Sequence, residues 1–304
     1  MRVGAILNPR AGVSAERARH ALGAAKGPFA GLDLRTTAGP GDATRLAREL
    51  VSDGCTTVLV AGGDGTLNEA AQGLLGTGAT LGVIPMGSGN GLARSLGIPR
   101  EPHAALRALG DAVTRRMDVG YANDRPFLNV AGVGFDAVIG RAFQEKGGRR
   151  GFLSYLQLSL AHALRYVPDE LELDVGQGGI PSRPLVIVAA NGRQYGAGAI
   201  LAPRAMLDDG RLSLVTFEYA PLHEIFWNVP RLFLGTLSRS RRFRCFETER
   251  GVISGASPFA HHSDGEPEAP TGRLEFRIEP RILPVLVPRA TALDSQGPFA
   301  LEGA

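Results

Sequence analysis

Apolar positions follow two regimes along this chain, and the change falls near residue 120. Before it, β-branched or continuously apolar runs at 3–7, 56–60 and 80–85 alternate with stretches whose apolar residues recur every three or four positions. Residues 15–25 and 42–51 are two such stretches. In the second, Ala43, Leu46, Ala47 and Leu50 share one helical face and Asp42 is placed to cap the N-terminus. Strands alternating with helices predict a layered α/β unit with a mostly parallel sheet. Beyond residue 120, short alternating segments dominate, at 171–175, 185–190, 211–217, 274–278 and 282–287, punctuated by Gly, Pro and Asn. That pattern predicts a mainly antiparallel β unit.

Three predicted strands of the first half run straight into glycine-bearing turns. Residues 3–7 lead into Asn8-Pro9-Arg10-Ala11-Gly12, residues 56–60 into A-G-G-D-G-T-L-N-E, and residues 80–85 into Gly87-Ser88-Gly89-Asn90-Gly91. In a parallel sheet these turns gather at one edge, where open α/β folds bind ligands. Glycines at 62, 63 and 65 let several backbone N–H groups point at one anion, and the helix that Leu67, Ala70, Ala71, Leu74 and Leu75 predict adds a positive N-terminus. A carboxylate inside such a loop, Asp64, is unfavourable beside phosphate unless it serves a metal ion or a nucleophile's proton. The pattern therefore points to phosphoryl transfer.

Composition changes this picture little. A length of 304 residues with 44% hydrophobic content suits about two domains with real cores. The net charge is +3, compatible with an anionic surface or a phosphate ligand and giving no reason to expect nucleic acid. Lysine occurs only at Lys26 and Lys146, so phosphate contacts fall to arginine and backbone amides, and no Walker-type loop is present. Cys55 and Cys245, without a partner motif, fit a reducing compartment. No apolar run approaches the ~20 residues of a membrane span. The expectation is a cytoplasmic protein, peripheral at most on the inner membrane face.

Taken together, the motifs resemble the diacylglycerol kinase catalytic domain superfamily, which includes bacterial lipid kinases, sphingosine kinases and ceramide kinases. The resemblance rests on N-P-R-A-G at 8–12, G-G-D-G-T-L-N-E at 62–69 and P-M-G-S-G-N-G-L-A-R at 85–94. It continues with A-N-G-R-Q-Y-G-A-G at 190–198, A-P-x-A-x-L-D-D-G at 202–210 and D-G-E at 264–266, in family order over nearly the whole chain. It implies an α/β nucleotide-binding domain with a three-layer, mostly parallel sheet over residues 1–120, joined by residues 284–304. It also implies a β-sandwich domain, mainly antiparallel, over 121–283 for the lipid substrate.

The activity so implied is transfer of the ATP γ-phosphoryl group to a lipid hydroxyl, with Mg²⁺ as cofactor. Asn8, Thr37, Gly62, Gly63, Asp64, Gly65, Thr66, Asn68, Gly87, Ser88, Gly89 and Asn90 would form the nucleotide site, Thr37 being placed by its distance to Gly41-Asp42. Glu266 and Asp64 are the catalytic carboxylates. Bacterial diacylglycerol kinases use the glutamate of D-G-E as proton acceptor and sphingosine kinases the aspartate of G-G-D-G; Glu266 is preferred as base and Asp64 as metal partner. Asp209, with the carbonyls of Met206 and Arg211, has the spacing of a structural Mg²⁺ site in bacterial relatives. Arg94 would meet a phosphate or a carboxylate, or lie on a helix surface.

The acceptor stays open. G-S-G-N-G stands where diacylglycerol kinases carry G-T-x-N-D, while Gly140 occupies the place of the amine-binding aspartate of sphingosine kinases. Diacylglycerol is the first expectation, a sphingoid base or ceramide the alternative. A soluble-metabolite kinase of the NAD kinase type and a catalytically silent nucleotide-binding protein are the other classes, and the intact loops and D-G-E argue against both. Four further signals complete the chain. Leu153, Leu156, Leu160 and Leu164 form a helical stripe that is core or acyl-chain groove. Ile225-Phe226-Trp227 to Leu232-Phe233-Leu234, followed by Arg239, Arg241, Arg242 and Arg244, form an aromatic and basic stretch that suits a solvated basic loop beside a core helix or lipid headgroups. His261-His262 lacks zinc-ligand spacing, and Gly132 to Ala137 fits G-x-G-x-x-A weakly. Nothing in the chain fixes the oligomeric state, and a homodimer stays open.

Overall fold

The computed structural model describes residues 2–11, 15–145, 162, 165–195 and 198–301. The chain divides into two compact units. The first comprises Met1–Val119, Met206–Asp209 and Pro280–Ala304, the second Gly120–Ala205 and Gly210–Glu279. The first unit thus includes residues 206–209 and 280–283, which lie inside the β-rich half of the sequence. The leucine stripe at 153–164 lies outside the described residues.

The first unit is an α/β domain. Strands β1 (Val3–Leu7), β2 (Asp33–Thr36), β3 (Thr57–Gly62) and β4 (Thr80–Pro85) are parallel in the order β2-β1-β3-β4. β1 and β3 are buried at every position, as continuous apolar strands covered on both faces must be. Helices α1 (Ala15–Gly23), α2 (Asp42–Ser52), α3 (Asp64–Leu74), α4 (Gly91–Ser95) and α5 (Pro102–Gly110) complete it. α2 buries Ala43, Leu46, Ala47 and Leu50, the predicted face. Its cap differs from expectation. Gly41 occupies the cap at φ 80°, and Asp42 sits one residue inside, its carboxylate accepting the Ala38 N–H at 2.7 Å. A left-handed cap suits glycine, so the aspartate moves into the turn.

α2 and α3 approach closely at Gly73. A Cβ there would stand 2.5 Å from the Thr44 carbonyl oxygen and 2.8 Å from the Ala47 Cβ. The same contact uses Glu69, whose carboxylate accepts the Ala43 N–H at 3.3 Å while its carbonyl accepts the Thr44 hydroxyl at 2.7 Å.

The second unit is an antiparallel β-sandwich. One sheet runs Phe243–Thr248, Leu212–Glu218, Pro184–Ala190, Val130–Gly134, His261–Ser263, Glu266–Pro267. Arg250–Phe259 pairs with Leu171–Asp174 and with the first half of the strand Thr271–Val287 to build the other. Alternation fixes what each face does. Ala131, Val133, Ile187, Ala189, Leu212 and Leu214 face Leu173, Ile253, Leu274 and Phe276 across the sandwich core. Their neighbours Val130, Val188, Ala190, Val215 and Phe217 pack on a second cluster with Leu201, Ala202 and Leu237.

One strand departs from the sequence pattern. Residues 274–278 and 282–287, expected as two strands, belong to the single 17-residue strand Thr271–Val287. Within it, Arg281 adopts a positive φ of 53°. The second half pairs in parallel with β4 through Val285 and Leu81.

Candidate active site

Four parallel strands end at one edge of the first sheet, and each delivers a residue singled out by the sequence. Asn8 follows β1, Thr37 follows β2, Gly63 follows β3, and Met86-Gly87 follow β4. Hydrogen bonds then tie the turns together. Asn8 donates its N–H to the Ala61 carbonyl at 2.9 Å and its side-chain amide to the Thr66 hydroxyl at 2.8 Å. The Thr37 N–H reaches the Leu7 carbonyl at 3.0 Å.

The two glycine loops meet backbone to backbone. A Cβ on Gly87 would stand 2.9 Å from the Gly63 Cα, and one on Gly62 would stand 2.6 Å from the Thr66 Cβ. The Asp64 carboxylate makes the join: Oδ2 accepts the Asn90 N–H and Oδ1 the Gly91 N–H, both at 2.9 Å. Asn90 itself is buried in a left-handed conformation at φ 54°, and its side chain bonds both the N–H and the carbonyl of Gly87. Arg94, read as a phosphate or carboxylate partner or a surface residue, instead donates Nε to the Gly89 carbonyl at 3.0 Å. Gly65 lies in the first turn of α3 and Ser88 is exposed at the tip of the second loop. Asn68 is buried one turn into α3 and accepts from Gln72. α3 starts at Asp64 with Gly63 as its cap, so its first N–H groups have no intrahelical acceptor and open toward the loop edge. Such an end, walled by glycine backbone, fits a phosphate group.

In the second unit, Asp264 (φ 49°) and Gly265 (φ 82°) form the tight turn between the strands His261–Ser263 and Glu266–Pro267. Two positive φ angles in succession are what a two-residue hairpin demands, and Asp-Gly supplies them. The Asp264 carboxylate also accepts three N–H groups, from Leu128, Asn129 and Val130, at 2.8–3.0 Å. The aspartate of D-G-E is thus an anchor, and Glu266, first residue of the outgoing strand, is held on a fixed backbone.

A buried polar chain beside this turn was not visible in the sequence. The Gly265 N–H donates to His262 Nδ1 at 3.3 Å, which leaves Nε2 to donate to Asp136 Oδ2 at 3.0 Å; the Tyr195 hydroxyl donates to the same oxygen. His262 and Asp136 are both buried. The histidine pair is therefore no zinc site, and among the described residues no three His, Cys, Asp or Glu side chains come together to hold a metal. The G-x-G-x-x-A match also resolves: Gly132 lies in an antiparallel strand, where a Cβ would stand 3.0 Å from the Ile187 carbonyl oxygen. A dinucleotide site needs a parallel βαβ unit instead.

Met206 and Asp209 belong to the first unit and Arg211 to the second. Buried Asp208, next to them, accepts the Ala300 N–H at 2.9 Å and pairs with Arg115 at 3.3 Å. Asp209 itself is exposed, just before Gly210 at φ 73°. The Asp209 carboxylate is of the ligand type that suits a hard cation. Both cysteines are free, and among the described residues no helix is long and apolar enough to cross a membrane.

Comparison with known proteins agrees with this architecture. Residues 2–122 match the diacylglycerol kinase catalytic domain, and residues 129–287 match the YegS C-terminal NAD kinase beta sandwich-like domain. A two-domain kinase of the diacylglycerol kinase type is the class so defined. A relative in Pseudomonas aeruginosa strain UCBPP-PA14, named "Probable lipid kinase YegS-like", is 32% identical over 291 residues, 93% of each chain. The chain belongs to this family of YegS-like lipid kinases. In fold it is similar to a diacylglycerol kinase from Bacillus anthracis str. Sterne (TM-score 0.73, 21% identity, covering 95% of this chain and 97% of that one). An Archaeoglobus fulgidus NAD kinase in complex with ATP is a more distant fold relative, at TM-score 0.51 and 12% identity over 97% and 95% of the two chains.

Proposed function

We propose that this protein is an ATP- and Mg²⁺-dependent lipid kinase with diacylglycerol as its first acceptor. The observation that carries the reading is the convergence of four parallel strand ends on one edge, locked by the Asp64 carboxylate into two joined glycine loops. Backbone amides of the loop Gly62–Thr66 and the start of α3 would bind the phosphates, with Gly87–Gly89 closing from the second loop. Asn8 and Thr37 would flank them.

Phosphoryl transfer asks the protein chiefly for alignment and charge stabilisation. The lipid hydroxyl oxygen attacks the γ-phosphorus, the bond to the β,γ-bridging oxygen breaks, and ADP leaves with that electron pair. The hydroxyl proton passes to the Glu266 carboxylate, which the clamped Asp264-Gly265 turn holds in place. Mg²⁺, when bound, would supply charge neutralisation at the phosphates, and Asp64 would be the carboxylate to hold it. Asp64 is first a positioning residue, because both its oxygens hold the second loop.

The test is incubation with γ-labelled ATP, Mg²⁺ and mixed micelles of diacylglycerol, monoacylglycerol, ceramide, sphingosine or phosphatidylglycerol, with NAD as soluble control. Label in diacylglycerol is the expected result. Label in ceramide or sphingosine alone would overturn the acceptor, and label in NAD alone would overturn the lipid reading.

A further inference from the structure

The helix Leu222–Phe233 of the second unit carries large apolar side chains both toward the core and toward solvent. Its inner side carries Leu232 against the cluster of Val188, Val215 and Leu237. Its outer side carries Phe226, Trp227, Val229 and Phe233, continued by Leu234 just past the helix end. All five are exposed, Trp227 by 78% and Leu234 by 72%. Positions 226, 229 and 233, with 227 and 234 beside them, recur at helical spacing, so they form one contiguous face. A contiguous face of large apolar side chains in water marks a contact surface.

Charge selects the occupant. Residues 222–245 contain five arginines and one acid, Glu224. That acid is paired with Arg242 at 3.2 Å, while Arg239, Arg241 and Arg244 are exposed. We infer that this face seats the protein on an anionic lipid bilayer, its aromatic residues in the headgroup–acyl boundary and its arginines on lipid phosphates. A second copy is disfavoured, because a two-fold contact through the same face would bring two arginine sets together. Choosing a bilayer over a protein partner rests on the lipid-kinase reading.

The chain contains a single tryptophan, and it is Trp227. Its emission therefore reports on this face alone. The full-length protein is titrated with vesicles of phosphatidylcholine, with and without phosphatidylglycerol, and with bromine-labelled lipid as a depth quencher. The expected result is a blue shift and quenching with anionic vesicles, reversed by salt, and weak binding to phosphatidylcholine alone. Arg239→Glu with Arg241→Glu should weaken the partition by ~10-fold or more.

Phe226→Ser with Val229→Ser, which leaves the reporter in place, should abolish the blue shift without changing the melting temperature, since both side chains are exposed. Co-sedimentation with vesicles without any change in Trp227 emission would put the contact elsewhere and overturn the inference. So would a blue shift that grows with protein concentration in the absence of lipid, which would make the face a contact between copies. Fluorescence needs no turnover, so a protein that phosphorylates no lipid yet inserts Trp227 would sink the kinase reading and sustain the docking face.

Discussion

Asn90 turns its backbone N–H into the Asp64 carboxylate at 2.9 Å, across 26 residues of sequence. An aspartate that the motif reserves for metal and proton chemistry is therefore also the bolt between two glycine loops. Asp64→Asn makes the distinction measurable. An amide must present NH₂ to one of two N–H donors, so the variant should lose about 1–3 kcal/mol of stability. It should also lose at least ~10²-fold in turnover. A thermal melt equal to wild type beside lost activity would show that the loop contact contributes nothing.

Glu266→Gln should lose activity alone. Its carboxylate is assigned the proton, and the backbone beneath it is fixed by Asp264, so turnover should fall by ~10² or more with melting unchanged. Asp264→Asn should cost about 2–3 kcal/mol, because three N–H groups lose a charged acceptor. Parallel melts and rate measurements on the two variants separate base from anchor.

Gly73→Ala tests the packing of α2 on α3. Helix propensity alone favours alanine by about 1 kcal/mol. Against it stands a Cβ placed 2.5 Å from a backbone oxygen that has no rotamer to escape into. Overpacking of that kind costs about 1–3 kcal/mol, so a net loss of stability is expected in denaturant titration. A stabilised variant would mean that the helices slide apart freely.

His261 sets a pH dependence. Burial, with the neighbouring His262 adding to it, holds its imidazole below the usual 6.5, and its Nδ1 has no hydrogen-bond partner among the described residues. In the unfolded chain the ring takes its proton near pH 6.5, whereas in the fold it does so only at lower pH. Stability due to this residue is thus full above 6.5 and is lost as pH falls toward the folded value. Melting temperature measured from about pH 7.5 to about pH 5 should fall for the wild type and fall less for His261→Asn.

The first unit was the more legible part of this chain because its signals are local. A β-branched run followed by glycines states strand and turn within ten residues, and Ala43, Leu46, Ala47 and Leu50 state the buried face of a helix. Asn8 follows a strand that the pattern shows, and parallel strands put their ends at one edge; Thr37, after the strand Asp33–Thr36 that the pattern does not show, is placed only by resemblance and its distance to Gly41-Asp42. What stayed hidden depends on partners far away in sequence. Asp264 acts on residues some 135 positions earlier, and Asp136 meets His262 across 126. No periodicity records such pairings. The two short strands read at 274–278 and 282–287 are one strand that runs on through Arg281, a non-glycine residue at a positive φ that no local rule demands.

That long strand carries a consequence for how the polypeptide is made. Leu283, Val285 and Val287 are fully buried, and Val285 pairs with Leu81 of β4. A ribosome delivers β4 some two hundred residues before it delivers this neighbour. Through most of translation, the flank of β4 that Val285 will occupy has no permanent partner, an aggregation hazard for any nascent sheet. The α/β unit of this chain is begun first and finished last.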